Sequence, residues 1–169
     1  MLVNSGFKIV LGGCLNDRGD NLVHYFSRQG DVTDLIALKE VINDDNRHLL
    51  LEHNFSQRQC VHVVVCEDRI NAIKKLKVLL EMGADINGQE RKGGNTPLHL
   101  AVHSNNYKLV EWLCKQPSIN KTALNYAQKT PFDIVTERIE KKINNALKEQ
   151  KKWYKIIHPS GANPSEQEQ

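Results

Sequence analysis

The amino-acid sequence predicts an all-α solenoid of about four stacked helix-turn-helix units with capping segments at its ends. Three observations predict it. The first is Gly94-Asn95-Thr96-Pro97-Leu98-His99-Leu100-Ala101, which combines a tight turn, a Thr-Pro helix start and a small residue on an inward face. The second is recurrence: His62 lies 38 residues after His24 and 37 before His99, and Thr130 follows Thr96 by 34. The third is an apolar-periodic run after the turn and first helix, such as Leu109-Val110-Glu111-Trp112-Leu113. One such unit cannot bury its own apolar face, so one copy requires neighbours.

The chemistry of the Gly94–Ala101 stretch explains its spelling. Thr96 caps a helix, and Pro97 suits the first helical position because its missing N–H would be unpaired there anyway. Leu98 and Ala101 lie three apart and share the inward face. The small Ala101 lets neighbouring helices approach closely. His99 carries a donor and an acceptor in its ring, enough to tie one turn to the next. In these features the stretch resembles the ankyrin repeat, whose period is about 33 residues.

Taken in order, residues 1–16 form a leader or cap. The first unit, 17–54, opens with Gly19-Asp20-Asn21-Leu22-Val23-His24, in which Asn21 stands for Thr. Gly30 separates its helices, and Val32–Ile42 supplies a second helix with Leu35, Ile36, Leu38, Val41 and Ile42 on its apolar face. Asn43-Asp44-Asp45-Asn46 breaks that helix. In the second unit, 55–90, Gln59-Cys60-Val61-His62-Val63-Val64 lacks the proline and is dense in β-branched residues, so propensity alone favours a strand. The repeat register predicts a helix instead. A second helix over about Ile70–Glu81 ends at Gly83, a suitable C-terminal stop. The third unit, 91–124, holds the opening stretch and ends in Ile119-Asn120. The fourth, 125–157, begins at Thr130-Pro131, with Asp133 where the others place histidine. Its second helix, about Ile139–Lys152, presents Lys141, Lys142, Lys148, Lys151 and Lys152 to solvent, with Trp153 and Tyr154 sealing the last unit. Residues 158–169 are polar and are expected to be disordered. The wider early spacings place insertions at Asn43–Asn54 and between the helices of the second unit.

Composition bounds the function. Hydrophobic content of 40% and charged content of 25% suit a soluble globular chain. A formal charge of +3 is too weak to argue for nucleic acid. The charge is unevenly spread: residues 1–56 carry 5 Lys/Arg against 8 Asp/Glu, and residues 57–169 carry 18 against 12. Cys14, Cys60, Cys66 and Cys114 form no CxxC pair and read as small buried hydrophobes in a reducing compartment. Leu11-Gly12-Gly13-Cys14 looks like a lipoprotein box, but the apolar run before it is too short for a signal core. No run approaches a membrane span. Neither a phosphate loop nor a nucleophile elbow is present, so no catalytic residue and no cofactor is assigned. His99 and His103 stand at metal-pair spacing, as does Cys66 after His62, yet neither pair has a third ligand in register, and no metal is assigned. Asp31, Asp34, Asp44 and Asp45 cluster in the first unit. They read either as a helix start and turn or as a negative patch for a basic peptide.

The first two units carry a narrower resemblance. Gly19–His24 matches the Gly-Asp-x-x-Leu-His pattern, with Val23 before the histidine. The second helix ends Leu38-Lys39-Glu40-Val41-Ile42 before an extended connection. Leu50-Leu51-Glu52-His53-Asn54 leads into Gln57-Arg58-Gln59-Cys60-Val61-His62. Together these resemble the I-kappa-B and Cactus group, and more closely the short I-kappa-B-like ankyrin proteins of polydnaviruses, over about residues 17–150. The resemblance implies a protein partner, a host Rel/NF-kappa-B protein of the Dorsal, Dif or Relish kind. It implies stoichiometric occlusion of nuclear import and DNA binding, and so suppression of host immune signalling. The cellular degron pattern Asp-Ser-Gly-x-x-Ser is reduced to Asn4-Ser5-Gly6, and an acidic tail is replaced by Asn163–Gln169, so release by signal-induced degradation is not expected. The expected location is the host cytoplasm, with the nucleus second. Partner contacts are expected at turn tips, namely Asp20, Arg58, Arg91, Lys92 and Lys129, and at Asp31 and Asp34 in the first unit. An adaptor for another host protein, such as a ubiquitin-ligase component, is the alternative.

Overall fold

The computed structural model describes residues 16–137 and positions 141, 144, 145, 148, 149 and 151. Six α-helices have both ends among the described residues: α1 (Leu22–Arg28), α2 (Val32–Lys39), α3 (Cys60–Glu67), α4 (Ala72–Glu81), α5 (Pro97–His103) and α6 (Tyr107–Cys114). They form two layers. The first helix of each unit packs on its counterpart, α1 on α3 and α3 on α5, and the second helices do the same, α2 on α4 and α4 on α6. Among the described residues there is no strand. The core lies between the layers and includes Val23, Leu35, Leu49, Leu76, Leu79, Leu98, Ala101, Leu109 and Leu113.

The helix at Cys60–Glu67 decides a conflict in the sequence. Val61, Val63 and Val64 are fully buried, and Val65 nearly so. A valine loses roughly 0.5 kcal/mol of helix propensity. Burying its side chain returns about 1.5 kcal/mol or more. Packing therefore overrides local preference.

Caps set the helix starts. Asn21 Oδ1 accepts from the His24 amide at 3.0 Å, Thr96 precedes Pro97 at α5, and Asn106 Oδ1 accepts from the Leu109 amide at 3.2 Å. At the end of α4 the Gly83 and Ala84 amides return to the Leu80 and Leu79 carbonyls, with Gly83 at φ +100°. Asn105, at φ +56°, closes α5 in the same way onto Val102, and the Asn106 amide returns to Ala101.

One expected boundary moves. The second helix of the first unit ends at Lys39, not Ile42. There Asn46 competes with the helix: its Nδ2 donates to the Val41 carbonyl at 3.0 Å and its Oδ1 accepts from the Asn43 amide at 2.8 Å. Ile36 is 49% exposed, so Leu35 and Leu38 alone form the buried face of α2. The 43–54 connection is a built segment: a 3-10 turn, Arg47–Leu50, buries Leu49 and Leu50. The helices of the second unit are separated by four residues, against three in the first and third.

The chain divides into two compact units, Met1–Ile134 and Val135–Gln169. The described residues of the second unit are helical, and Lys141, Lys148 and Lys151 are exposed. The leader up to residue 15, most of the helix expected over Ile139–Lys152, the aromatics Trp153 and Tyr154 and the tail 158–169 lie outside the described residues. No described helix is long and apolar enough to cross a membrane.

Candidate partner-binding surface

Each unit begins with a tight turn, and the four turns share one backbone device. Two residues before each helix cap the chain takes positive φ: Gly19 (+68°), Gln57 (+62°), Gly94 (+69°) and Gln128 (+57°). Each loop is held from within by one side chain. Asn16 Oδ1 accepts from the Arg18 and Asp20 amides, Asn54 Oδ1 from the Arg58 amide, and Asn125 Oδ1 from the Ala127 and Lys129 amides. Glu90 does the same in the third turn, accepting from the Lys92, Gly93 and Asn95 amides. Burial works against its charge, but these amides outweigh that cost and hold the carboxyl below its ordinary range.

Successive turns are also joined to each other. The Phe55 amide donates to the Arg18 carbonyl, the Arg91 amide to Gln57 and the Tyr126 amide to Gly93, each at 2.9 Å. Asn54 Nδ2 donates to Asp20 Oδ1 at 2.7 Å, and Asn125 Nδ2 to Asn95 Oδ1 at 3.0 Å. The turns thus form one continuous edge. Two aromatic rings reinforce it. A Cβ on Gly19 would fall 2.4 Å from the Phe55 ring, and one on Gly94 would fall 2.3 Å from that of Tyr126. Each ring lies over the glycine of the preceding turn, yet Phe55 and Tyr126 remain 68% and 61% exposed.

The histidines serve the interior. His24 Nε2 pairs with the Arg58 carbonyl, His62 Nε2 with Gly88 and His99 Nε2 with Lys129, each at 2.9 Å. All three are fully buried. Desolvation lowers the pKa of each, and pushes that of His62 down to about 4. A neutral ring with Nε2–H donating to the next carbonyl is the strut the repeat register predicts. His62 departs in one detail: its carbonyl lies in the tail of its own unit, where His24 and His99 reach the following turn. Among the described residues no group of three metal-ligating side chains is assembled.

The expected contact residues separate into four groups. Arg91 and Lys92 are exposed at the third turn, as expected. Arg58 and Lys129 also lie at turns but are half-buried, their carbonyls taken by His24 and His99. Asp20 is a correction: it is fully buried, not at a surface tip. It accepts from Asn54 and Asn16 and pairs with Arg28 at 3.2 Å. Burial opposes its charge, but these bonds prevail and keep its pKa low. Asp31, exposed, and Asp34, half-buried, form a helix start at α2. Asp31 Oδ1 accepts from the Thr33 and Asp34 amides, and Asp34 Oδ2 accepts from the Asp31 amide at 2.8 Å. They form a capping box on α2.

Sequence reasoning missed Arg18, Phe55 and Tyr126, all exposed on the same edge. The signal was present: Asn54-Phe55 and Asn125-Tyr126 repeat an Asn-aromatic pair at one register, four residues before the aromatic's own helix cap.

Comparison with known proteins follows the same lines. Residues 71–114 match the family model of ankyrin repeats (many copies). I-Kappa-B like protein G2 of Microplitis demolitor bracovirus (isolate Webb) is 89% identical over 168 residues, 99% of this chain and 100% of the relative. I-Kappa-B like proteins I1 and F2 of the same virus are each 52% identical over 130 residues, 77% of this chain and 78% of theirs.

Proposed function

The chain belongs to the I-kappa-B-like ankyrin proteins of bracoviruses, and on that premise we propose that it captures a host Rel/NF-kappa-B protein and blocks nuclear import and DNA binding. It acts by occupancy, one inhibitor to one target, in the host cytoplasm, and so damps immune signalling. The observation that carries the reading is the continuous edge of turns. It is fixed before any partner arrives, because each turn is bonded both within itself and to the next, so little ordering entropy is lost on binding. Asn4-Ser5-Gly6 lacks the flanking acid and second serine of a phosphorylation-triggered degron, so capture would outlast the host signal.

The test is a pull-down of purified insect Rel homology regions, followed by addition of the protein to a preformed Rel–DNA complex. Capture of a Rel region and release of its DNA are expected. No capture at micromolar concentrations would remove the Rel assignment.

A further inference from the structure

We infer that the third and fourth turns form a docking ledge for an acidic polypeptide segment that carries an apolar side chain among its carboxylates. The inference deepens the binding role proposed above and rests on the chain acting through protein capture.

The ledge is predominantly cationic because its acids are engaged locally: Asp133, exposed at the start of the fourth unit's first helix, accepts from the Thr130 amide and hydroxyl at 2.8 Å. Glu90, the carboxylate of the third turn, is 4% exposed and saturated by the amides of its own loop and by Asn95 Nδ2. Arg91 and Lys92 beside it point to solvent, and neither is ion-paired among the described residues. Lys121 adds a further exposed cation from the approach to the fourth turn. The fourth turn, bonded to the third, exposes two apolar side chains, Tyr126 at 61% and Leu124 at 49%. Cations beside exposed rings and aliphatics fit a partner with carboxylates beside an apolar group. The positive potential also speeds its arrival.

The ledge is rigid as well as charged. Gln89 Nε2 donates to both the Gly94 and Leu124 carbonyls at 2.8 Å, spanning the two turns. The Tyr126 amide and Asn125 side chain add two more ties. The first and second turns offer a weaker version of the same edge. There Arg18 is exposed near Phe55, but Asp17 is exposed beside it, and Arg58 is turned toward Glu67 at 3.9 Å.

Fluorescence anisotropy tests this with the full chain. The probe is a short fluorescein-labelled peptide of Asp and Glu with a central Leu. Three controls accompany it: a Ser-for-Leu peptide, a Lys peptide and a single-stranded DNA oligonucleotide of equal charge. The Asp/Glu/Leu peptide is expected to bind best. Arg91→Glu with Lys92→Glu should weaken it about tenfold or more, while Lys74→Glu with Lys77→Glu on the outer face of α4 changes it less than about twofold. An unchanged circular dichroism melt would show that the fold survives the reversals. Equal binding by both double variants, or equally tight binding of the oligonucleotide, would overturn the inference. The same variants against a captured Rel region separate the two readings. Capture insensitive to Arg91→Glu/Lys92→Glu sinks the ledge and leaves Rel capture standing. Peptide binding lost in that variant, with no Rel capture by the parent chain, does the reverse.

Discussion

The junction of α1 with α3 and the junction of α3 with α5 join equivalent helices by different chemistry. Between the first and second units the contacts include a run of buried and half-buried charges. Asp20 pairs with Arg28, Arg28 with Glu67, Glu67 with Arg58, and Asn54 bonds back to Asp20. Lys75, 2% exposed on α4, reaches the Ser27 carbonyl at the end of α1 at 3.1 Å and pairs with Asp68 at 2.8 Å. Between the second and third units the buried faces are Val61, Val64 and Val65 against Leu98, Ala101 and Val102. An apolar seam is tolerant, because neighbours can partly collapse around a defect. A charge pair at the buried end of such a run is not, because removing Asp20 leaves the Arg28 side chain, 9% exposed, without its buried partner. The same repeat therefore holds one junction by area and the other by completeness.

The largest expected effect breaks that completeness. Asp20→Ala leaves Arg28 without its buried partner and Asn16 and Asn54 without an acceptor, and should cost about 3–5 kcal/mol. Urea unfolding measures the loss. Native-state hydrogen exchange should place it in α1 and α2, since a repeat array is held by nearest-neighbour terms and can open at one end. A cost below about 1 kcal/mol would mean that water replaces the carboxylate without penalty, and the contrast between the junctions would fall.

Leu98→Ala attacks the apolar junction and should cost about 2–5 kcal/mol, depending on how far the neighbours collapse. Its signature should differ from that of Asp20→Ala. Leu98 is fully buried in the middle of the stack, so exchange should accelerate across α3 and α5 together. Loss of protection confined to α5 and α6 would show that the second junction is no more cooperative than the first.

Acid sharpens the comparison through the struts. His62 titrates near 4 in the folded chain, because desolvation disfavours its charged form, and near 6.5 when unfolded. Between those values the unfolded chain binds the extra proton, so stability is present above about pH 6.5 and falls as pH falls toward 4. The full shift corresponds to about 3 kcal/mol. His24 and His99 move in the same direction. The low pKa of Asp20 extends the loss to more acidic solution, where its carboxylate takes up a proton. Melting temperature against pH should slope upward from 4 to 6.5 and flatten in part in His62→Gln. An identical slope in that variant would assign the acid sensitivity elsewhere.

The repeat stack was legible in the sequence because helix periodicity, caps and the histidine register are local or strictly periodic. His24, His62 and His99 are each a buried donor to a backbone carbonyl, as their spacing implied. Even the β-branched helix at Cys60–Glu67 followed from register. The surface was less legible. Asp20 reads as a tip residue by position, but its fate is decided by Asn54, 34 residues away, and by Arg28, which no local pattern pairs with it. Asp31 and Asp34 were recognisable as a helix start by their spacing of three, yet charge alone favoured neither reading. The ends of helices slipped where a side chain such as Asn46 competes for backbone bonds, a contest invisible to periodicity.

The smallest effect concerns the turns themselves. Gly94 and Gln57 occupy the same register at nearly the same φ, but Gly94 lies beneath the Tyr126 ring, whereas the residue of the next turn bonded to Gln57 is Arg91. Gln57→Gly removes a side chain from the left-handed region but also frees the unfolded chain, so the two terms should cancel to within about 0.5 kcal/mol. Gly94→Gln meets both the left-handed penalty and the Tyr126 ring, and should cost about 2 kcal/mol. Adding Tyr126→Ser to Gly94→Gln should recover the steric part, leaving a turn that resembles the second. The decisive measurement is the double-mutant cycle between positions 94 and 126. A coupling near zero would mean that the ring rests on the edge without constraining it. In that case glycine at Gly19 and Gly94 would answer to backbone conformation alone.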